Sequence, residues 1–306
     1  MIRITVADRP ELLDALFRVR HQVFAGGGYM PATASGRIVS HLDALPTCVH
    51  LIALVDGAVV GGIRVDHPCG VPSGADELFD FDPYVSDPST AAGVSLLCVL
   101  PEHRGLRGIN RSLWKMASYV AENNGMTHIK GSANPERRSM FEAMGYEVLV
   151  ETFHHDESGL DVLPVLLELT RANRTIREFL ARQELGPFRE SFDRLFVSAG
   201  ETIVRQGDHG DEAYVLVAGE AVVETSGGRS FPLGPGELFG ELALLTDRQR
   251  TASVVARTDV ELMALDRRRF QAELDARPAT AIVVLRALAS RLAAAISDER
   301  PVASTV

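Results

Sequence analysis

Short apolar runs separated by glycine-containing turns are the feature that most constrains the fold of this chain. Between residues 196 and 265 the turns SAGE, QGDHGDE, VAGE, SGGR and LGPGE leave only a few residues for each run. Glycine supplies the positive φ angles of tight turns, and many short strands at close spacing are typical of a β-barrel or β-roll. The sequence therefore predicts a small, jelly-roll-like β-roll in this region.

The first half has a different pattern, in which strand-like and helical segments alternate. Its clearest signal is Asp56-Gly57 between two apolar runs, a dipeptide typical of a hairpin turn. The predicted elements, in chain order, are the hairpin 50–65, the strand 92–100, the helix 110–125, the strand 127–133, the helix 135–145 and the strands 146–155 and 162–170. This order indicates an α/β (α+β) domain with a mixed sheet.

Residues 171–185 join the two halves and predict a charged helix without a deep apolar face. We therefore expect a domain of residues 1–170, a helical connector of residues 171–187 and a second domain of residues 188–306 with flanking helices. A long helix is expected near the end of the chain, and its apolar stripe should pack on the roll or on the second subunit of a homodimer. The stripe consists of Ile282, Leu285, Leu288, Ala289 and Leu292.

Net charge and cysteine content exclude several classes of function. The formal charge of -10 disfavours general affinity for nucleic acid, which depends on lysine and arginine contacts to phosphates. No segment approaches the ~20 consecutive apolar residues of a membrane span, and acidic residues interrupt the N-terminal segment. Three widely spaced cysteines argue against a disulfide framework or a structural zinc. We expect a cytoplasmic protein with no metal, no nucleic-acid partner and no membrane contact.

The segment FGELALLTDRQRTASV, residues 239–254, has residues suited to a phosphate. Gly240 lets the backbone approach a ligand, free N–H groups at the following helical turn favour an anion, and Arg250 supplies a fork of donors. Glu241 is unfavourable beside an anion unless it accepts hydrogen bonds, as from a ribose hydroxyl. These residues alone leave open an ordinary turn with a surface glutamate and arginine.

With its surroundings, this segment resembles the cyclic nucleotide-binding domains of the catabolite activator and cyclic nucleotide-dependent kinase families. SAGETIVRQGDHGDEAYVLVAGEAVV is similar to their early strands, LGPGELFGELALL to the entry of their phosphate cassette and RQRTASVVA to its arginine and next strand. The likeness runs from about residue 175 to the end and implies that Glu241 holds the ribose 2′-hydroxyl. It also implies that five residues line the cyclic phosphate, namely Gly240, Leu242, Arg250, Thr251 and Ala252.

The resemblance implies cAMP as the default ligand. Thr251 points weakly to cGMP, because cGMP-dependent kinases also have threonine after the arginine. In the transcription factors of this family a helix-turn-helix module follows the long helix. We expect no such module here, and we therefore expect the ligand to act on the first domain.

The connection PEHRGLRG, residues 101–108, leads from a strand into a helix. Backbone N–H groups at such a helix N-terminus suit a pyrophosphate, and Arg104 and Arg107 add positive charge. A solvated basic loop is the alternative.

Residues 2–169 resemble the GNAT acyltransferases and, within them, the autoinducer synthases and the N-acyl amino acid synthases. VLPEHRGLRGINRSLW is similar to the acyl-CoA pyrophosphate loop and NPERRSMFEAMGYEV to the late helix and strand, while RVRHQVF with Arg20 and Phe24, then Asp43 and Arg64, match the synthases. The resemblance implies that acyl-CoA or an acyl carrier protein is the donor. The implied donor-binding residues are Leu97, Cys98, Val99, Arg104, Gly105, Leu106, Arg107, Gly108, Ile109 and Asn110.

Five positions, in three parts of the domain, depart from these families. Arg107 and Asn110 interrupt the alternating glycines of the pyrophosphate loop. Phe141 stands where many GNAT enzymes have a tyrosine that protonates the leaving thiolate. Gly93 and Leu96 stand where autoinducer synthases have a glutamate and an arginine. We therefore expect an amine acceptor other than the one used for homoserine lactone synthesis.

Attack of an amine on a thioester needs proximity, N–H donors for the developing oxyanion and removal of a proton. The amides of residues 97–99 are candidate donors. The candidate catalytic residues are Asp43, Arg20, Arg64, His41, His154 and His155. The alternatives are a structural ion pair of Asp43 with an arginine and solvated histidines. Cys98 is expected in the core rather than as an acyl-cysteine.

Together these observations predict an N-acyltransferase that is allosterically regulated by a cyclic nucleotide bound to its own second domain. The acceptor is an amine on a small molecule or a protein lysine. The competing prediction is a noncatalytic sensor of a cyclic nucleotide and an acyl ligand that acts through a protein partner. Thiol release from an acyl donor separates the two.

Overall fold

The computed structural model describes residues 1–105, 108–183, 193–246 and 248–276, together with residues 281–282, 284–286 and 288–289. The chain divides into two compact units, Met1–Glu184 and Leu185–Val306. The helix that was predicted to connect two domains falls in the first unit. Residues 184–192, around the division, lie outside the described residues.

The first unit is a mixed sheet with helices packed against it, as the sequence predicts. Its elements are β1 (Ile2–Val6), α1 (Pro10–Phe24), β2 (Cys48–Val55), β3 (Ala58–Asp66), β4 (Ala91–Val99), α2 (Ile109–Asn123), β5 (His128–Ala133), α3 (Arg138–Met144), β6 (Glu147–Val148), β7 (Phe153–His155), β8 (Leu160–Glu168) and α4 (Arg174–Gln183). The strands follow the order β1-β2-β3-β4-β5-β8-β6, and β7 also pairs with β8. The strands β4 and β5 run parallel, and the other neighbours in this order run antiparallel.

The hairpin of β2 and β3 decides which residues lie side by side on this sheet. Asp56 and Gly57 turn with φ angles of 50° and 80°, as the predicted two-residue turn requires. A β-bulge at Val60 then shifts the register between the two strands. Because of this shift, Arg64 lies directly opposite His50.

The strand β4 carries a second bulge and leaves its parallel neighbour partway along. It pairs with β5 only over residues 91–93. Its register with β3 shifts between Ser95 and Cys98, so Leu96 and Leu97 bulge out of the ladder. Ser95, Leu96 and Leu97 are half-buried while the rest of the strand is buried. The sheet therefore opens between β4 and β5 at this bulge.

The helix α4 corrects one expectation. Ile176, Phe179 and Leu180 are buried, and the ring of Phe179 packs edge-on against Tyr119 of α2, with 6.4 Å between the centroids. The expected lack of a deep apolar face is therefore wrong. The apolar residues recur at helical spacing between charged ones, and they fix α4 to α2 within the first unit.

The second unit is the predicted β-roll. Its elements are β9 (Arg194–Val197), β10 (Thr202–Val204), β11 (Glu212–Ala218), β12 (Ala221–Glu224), β13 (Ser230–Leu233), β14 (Leu238–Phe239), α5 (Glu241–Thr246), β15 (Ser253–Ala256), β16 (Val260–Asp266) and α6 (Arg267–Ala276). The strands form two groups, in the orders β14-β11-β16-β9 and β10-β15-β12-β13, with antiparallel pairing throughout. Both groups contribute to one core, which contains Leu216 and Leu262 of the first group and Ala221 and Val254 of the second.

The segment after α6 meets the expectation of an apolar stripe on the roll only in part, and packing on a second subunit remains a prediction. Val284 is buried and Leu288 packs beside it against the core of the roll. Three members of the predicted apolar stripe are exposed instead, namely Ile282, Leu285 and Ala289. Leu292, the last member, lies outside the described residues. Across the described helices, none is long and apolar enough to cross a membrane.

Candidate functional site

One face of the sheet in the first unit carries a continuous set of polar side chains. Directly paired residues on neighbouring strands point to the same face, and residues two apart on one strand share that face. The register therefore forms two rows, one of His50, Arg64 and Ser95 and the next of Cys48, Asp66, Gly93 and Lys130. Ile63 and Val65, the alternate residues of β3, are buried and apolar.

Asp43 lies at the centre of a buried charge cluster on this face. Its Oδ1 accepts hydrogen bonds from Arg20 Nη1 at 2.9 Å and from Arg64 Nη1 at 3.3 Å, and its Oδ2 accepts from the Ser40 amide at 2.7 Å. Burial raises the pKa of Asp43, but the Arg20 guanidinium, the Ser40 amide and Arg64 together hold the pKa below its ordinary value. A carboxylate that is kept ionised and paired is a poor proton acceptor. The geometry therefore favours the ion-pair role of Asp43 over that of a general base.

His50 is held in one neutral tautomer. Arg20 Nη2 lies 3.0 Å from His50 Nδ1, and because a guanidinium only donates, Nδ1 must accept. The ring proton is then on Nε2, which lies 3.4 Å from both Cys48 Sγ and the Asp43 carbonyl oxygen. Burial lowers the pKa of His50, and the nearby Arg20 lowers it further. His50 therefore orients Arg20 and does not act as a base toward Cys48.

Asp43, Cys48 and His50 also have the chemistry of metal ligands, with one ligand atom from each within 4.8 Å of the others. However, Arg20 already occupies His50 Nδ1, and two guanidinium groups neutralise the carboxylate. Burial raises the pKa of Cys48 to about 12, so its thiolate is not available near neutral pH. The three residues are better described as a hydrogen-bonded cluster than as a cation site.

A loop covers the polar face beyond Arg64. Lys130 Nζ lies 2.7 Å from the Asp76 carboxylate, which also accepts hydrogen bonds from the amide and hydroxyl of Ser73. The Gly74 amide donates to Asp66 at 3.2 Å. The polar face and the residues over it thus balance three cations with three carboxylates, namely Arg20, Arg64 and Lys130 with Asp43, Asp66 and Asp76.

The predicted oxyanion donors lie at the open end of β4. Leu97 belongs to the bulge, and Cys98 and Val99 complete the strand after it. Burial raises the pKa of the Cys98 thiol to about 11, which argues against an acyl-cysteine.

The predicted pyrophosphate loop connects β4 to α2. Arg104 Nε donates to the Val99 carbonyl at 3.0 Å, which fixes the arginine stem at the end of the strand. The helix α2 begins at Ile109, directly after Gly108 with its φ of 72°. The exposed residues around this connection are Arg104, Gly105, Gly108 and Asn110, whereas Ile109 is buried. Leu106 and Arg107 lie outside the described residues.

Phe141 belongs to a buried aromatic cluster with Trp114 and Tyr146. The three ring centroids are 5.2 to 5.7 Å apart, and all three pairs meet edge to face. Tyr146 Oη has no hydrogen-bond partner among the described residues, and burial raises its pKa well above the ordinary value. Phe141 is therefore part of the core, at the position where the resemblance to GNAT enzymes implies a tyrosine that donates a proton.

None of the three candidate histidines forms a hydrogen bond or ion pair with the charge cluster, although His41 belongs to the same short 3-10 helix as Asp43. His41 has an exposed side chain, and its Nε2 lies 3.9 Å from Glu77. His154 and His155 are on β7, which β4, β5 and β8 separate from β3 in the order of strands. Their Nδ1 atoms contact Asp161 and Ser158, each at 2.9 Å. The structure therefore brings neither His154 nor His155 to Asp43, Arg20 or Arg64.

In the second unit, Arg250 is buried against backbone rather than against a carboxylate. Its Nη1 donates to the Gly240 carbonyl at 2.8 Å and its Nη2 to the Glu212 carbonyl at 2.7 Å. No carboxylate among the described residues forms an ion pair with it. The guanidinium also lies 5.8 Å from the ring centroid of Tyr214. A Cβ added to Gly210 would lie 2.3 Å from Arg250 Nε, so this glycine is needed for the close approach.

Of the other cassette residues, Gly240 contacts this arginine directly. Gly240 has a φ of 79° and links β14 to α5, and Glu241, the first residue of α5, is buried. Leu242 and Thr251 are exposed and Ala252 is half-buried. A buried cation without a carboxylate, beside a glycine turn and a buried glutamate, fits an anionic ligand that also offers a hydroxyl group.

Several residues of these two regions were not predicted from the sequence. In the first unit they are Ser40, His50, Asp66, Asp76, Ser95 and Lys130, and in the second they are Gly210, Glu212 and Tyr214. The sequence signal that could have identified Asp66 and Lys130 is a charged residue within a strand. Ser95 could not be singled out without the register between β3 and β4.

Two known families match this chain. Residues 15–168, half of its 306 residues, match the family described as N-acyl amino acid synthase FeeM. Residues 194–277 match the cyclic nucleotide-binding domain.

Individual relatives resemble one unit or the other. The cAMP-dependent protein kinase regulatory subunit of Hypocrea atroviridis is 34% identical over 116 residues, which are 38% of this chain and 22% of that protein. The chain spans about a fifth of the length of the curated relatives it matches. The structure of FeeM from uncultured soil microbes covers 56% of this chain and 91% of its own, at 13% identity and a TM-score of 0.48. The Thermus thermophilus catabolite activator protein covers 40% and 57%, at 35% identity and a TM-score of 0.33.

Proposed function

This chain belongs to the family of the N-acyl amino acid synthase FeeM and also carries a cyclic nucleotide-binding domain, and from this premise we propose that it is a cyclic nucleotide-regulated N-acyltransferase. It joins an acyl group from acyl-CoA or acyl carrier protein to the amino group of an amino acid. The observation that carries the proposal is the buried polar face that ends at the bulge of β4.

The transfer follows the chemistry of GNAT acyltransferases. The thioester carbonyl lies in the opening between β4 and β5, where amides of residues 97–99 donate to the oxyanion. The amine nitrogen attacks the carbonyl carbon, a C–N bond forms and the C–S bond breaks. The proton that the amine loses is transferred to the released thiolate, which becomes a thiol. The overall reaction therefore needs no protein base that retains the proton. This agrees with the pairing of the Asp43 carboxylate with Arg20 and Arg64, which makes it a poor base.

Asp43, Arg20 and Arg64 act as positioning residues on the acceptor side. Their charges are fixed by ion pairs of 2.9 and 3.3 Å, and His50 holds Arg20 from the other side. Such a network keeps its geometry when a substrate enters, because every member is restrained by at least one partner.

The regulatory ligand is a cyclic nucleotide, with cAMP proposed before cGMP. Its cyclic phosphate would lie against Arg250 and Gly240, and Glu241 would accept from the ribose 2′-hydroxyl. We propose that binding alters the segment after α6 and the helix α4, and through them the rate of acyl transfer.

The test is an assay of free thiol with acyl-CoA and a panel of amino acids, with and without cAMP, followed by mass spectrometry of the products. We expect thiol release that depends on the amino acid and a product one acyl group heavier. A noncatalytic sensor would show a ligand-dependent rise in thermal stability and no thiol release with acyl-CoA or acyl carrier protein. That result would contradict the enzymatic proposal.

A further inference from the structure

The loop segment of residues 73–76 lies on the polar face at the point where β4 and β5 separate. The last pair of their parallel ladder is Gly93 and Lys130. Two residues further along each strand, and on the same face, are Ser95 and Ser132, which are not paired in the described chain. Other contacts must therefore set the distance between the two strands beyond this point.

The segment contacts β4 through its first two residues. A Cβ added to Gly93 would lie 2.2 Å from Ser73 Oγ, and a Cβ added to Gly74 would lie 3.2 Å from Ser95 Oγ. The two glycines thus allow the loop backbone to lie directly on the strand. The Gly74 amide also donates to Asp66 of β3 at 3.2 Å.

The next two residues of the segment contact β5. Ser132 Oγ donates to the Ala75 carbonyl at 2.9 Å, and Lys130 Nζ lies 2.7 Å from the Asp76 carboxylate. Asp76 also accepts from the amide and hydroxyl of Ser73 at 2.8 and 2.9 Å, which ties the end of the segment to its beginning. Ser73, Ala75 and Lys130 are buried, so water competes little for these contacts.

Two consecutive residues therefore reach both strands. Gly74 packs over Ser95 of β4, and the Ala75 carbonyl accepts from Ser132 of β5. Successive Cα atoms are about 3.8 Å apart, so a single peptide unit crosses from one strand to the other. The segment closes the polar-face side of the cleft at the place where the ladder has ended.

From these contacts we infer that residues 73–76 form a bridge that sets the width of the cleft between β4 and β5, and that Ser132 is a positioning residue for the acyl donor. The inference rests on the proposed function, in which amides of residues 97–99 hold the thioester carbonyl in this cleft. These amides belong to β4, and the opposite wall belongs to β5. The strand separation therefore decides how closely the carbonyl approaches its donors. A displacement of about 1 Å in such a site can cost about 100-fold in rate.

Ser132 allows the bridge to be loosened without removal of a charge. Its hydroxyl contacts the loop backbone, so Ser132→Ala breaks one link across the cleft and leaves the ion pair of Lys130 and Asp76 in place. Asp76→Asn would instead break a buried ion pair, and loss of folding would then obscure a positioning effect.

The test is the kinetics of thiol release in wild type, Ser132→Ala and Ser132→Thr. The donors are octanoyl-CoA and octanoyl acyl carrier protein, with the amino acid that wild type uses best. We expect Ser132→Ala to lower kcat about tenfold, less than a full 1 Å displacement causes, and to leave the KM for the amino acid unchanged. Ser132→Thr keeps the hydroxyl and should retain the wild-type kcat.

Ser118→Ala is the matched control. Ser118 Oγ also donates to a backbone carbonyl, that of Trp114 at 3.0 Å, but within α2 and not across the cleft. Both alanine variants lose one such hydrogen bond, so both should lower the urea midpoint slightly. Only Ser132→Ala should lower kcat.

An unchanged kcat in Ser132→Ala, or an equal fall in Ser118→Ala, would overturn the inference. Failure of the proposed function looks different, because wild type then releases no thiol from either donor. In that case calorimetric titration with the same two donors decides the point. Donor binding that weakens in Ser132→Ala but not in Ser118→Ala would support the bridge, whereas equal affinities, or no binding to wild type, would refute it.

Discussion

The two units treat their buried arginines in opposite ways. In the first unit, Arg20 and Arg64 share the carboxylate of Asp43 at 2.9 and 3.3 Å. In the second unit, Arg250 is bonded to the carbonyl oxygens of Gly240 and Glu212, and its charge is not neutralised by a carboxylate of the described chain. A cation neutralised within the chain holds a fold together, whereas a cation that is only hydrogen-bonded remains available to an external anion. The comparison predicts which substitutions affect folding and which affect binding.

The largest effect on stability is expected from Asp43→Asn. This change leaves the buried Arg20 guanidinium without a counter-charge and leaves Arg64 with Asp66 alone. Breaking a buried ion pair from one side costs about 3–5 kcal/mol. The free energy of unfolding in urea measures the loss. Asp14→Asn removes an aspartate that also contacts two arginines, Arg18 and Arg37, but at the surface, and should cost far less. Equal costs would mean that burial of the Asp43 cluster is unimportant.

Arg250→Ala should act mainly on binding. Loss of a bidentate contact to a phosphate should weaken cAMP binding about 100-fold, or about 2.7 kcal/mol. Its effect on unfolding should be smaller than that of Asp43→Asn, because no counter-ion is left behind. Calorimetry and urea unfolding on the same variant separate the two effects, with Arg229→Ala, an exposed arginine of the roll, as the control. Unchanged affinity in Arg250→Ala would rule out the phosphate assignment.

Gly210→Ala should weaken nucleotide binding about tenfold, the effect of a misplaced donor. The added methyl group would lie 2.3 Å from Nε of Arg250, which two carbonyl contacts prevent from moving freely. Gly227→Ala adds the same methyl group where the nearest atom is 3.9 Å away and should bind normally. If the two alanine variants bound cAMP equally well, the packing of Gly210 would have no bearing on the site.

The smallest effect concerns pH. The folded pKa of His50 lies below its ordinary value of 6.5, so the unfolded chain binds a proton first as the pH falls. The stability that this shift contributes is complete above about 6.5 and is lost below it, as the pH approaches the folded pKa. Unfolding free energies at pH 7.5 and 5.5 should therefore differ less in His50→Gln than in wild type. A wild-type difference in His50→Gln would contradict this prediction.

The sequence predicted the second unit more completely than the first for a physical reason. Gly240, Glu241 and Arg250 belong to one contiguous segment, so spacing along the chain was enough to predict them as one set. Gly210 and Glu212 come from another loop and strand, and only the packing of the roll brings them to the arginine.

In the first unit the decisive contacts depend on β-sheet register. The turn at Asp56-Gly57 was predicted, but a regular hairpin after this turn would pair His50 with Ile63. The bulge at Val60 moves Arg64 into that place, and nothing in the local sequence specifies the extra residue. For this reason the sequence indicated Arg20, Asp43 and Arg64 individually but not the network that His50 completes.

The most direct test of the account is a calorimetric titration with cAMP, in the presence and absence of acyl-CoA, together with the reverse titration. If nucleotide capture at Arg250 regulates the acyl site, acyl-CoA must change the affinity for cAMP by the same factor by which cAMP changes the affinity for acyl-CoA. We predict equal, non-unit factors that disappear in Arg250→Ala. Identical cAMP affinities with and without acyl-CoA would contradict regulation through coupled binding.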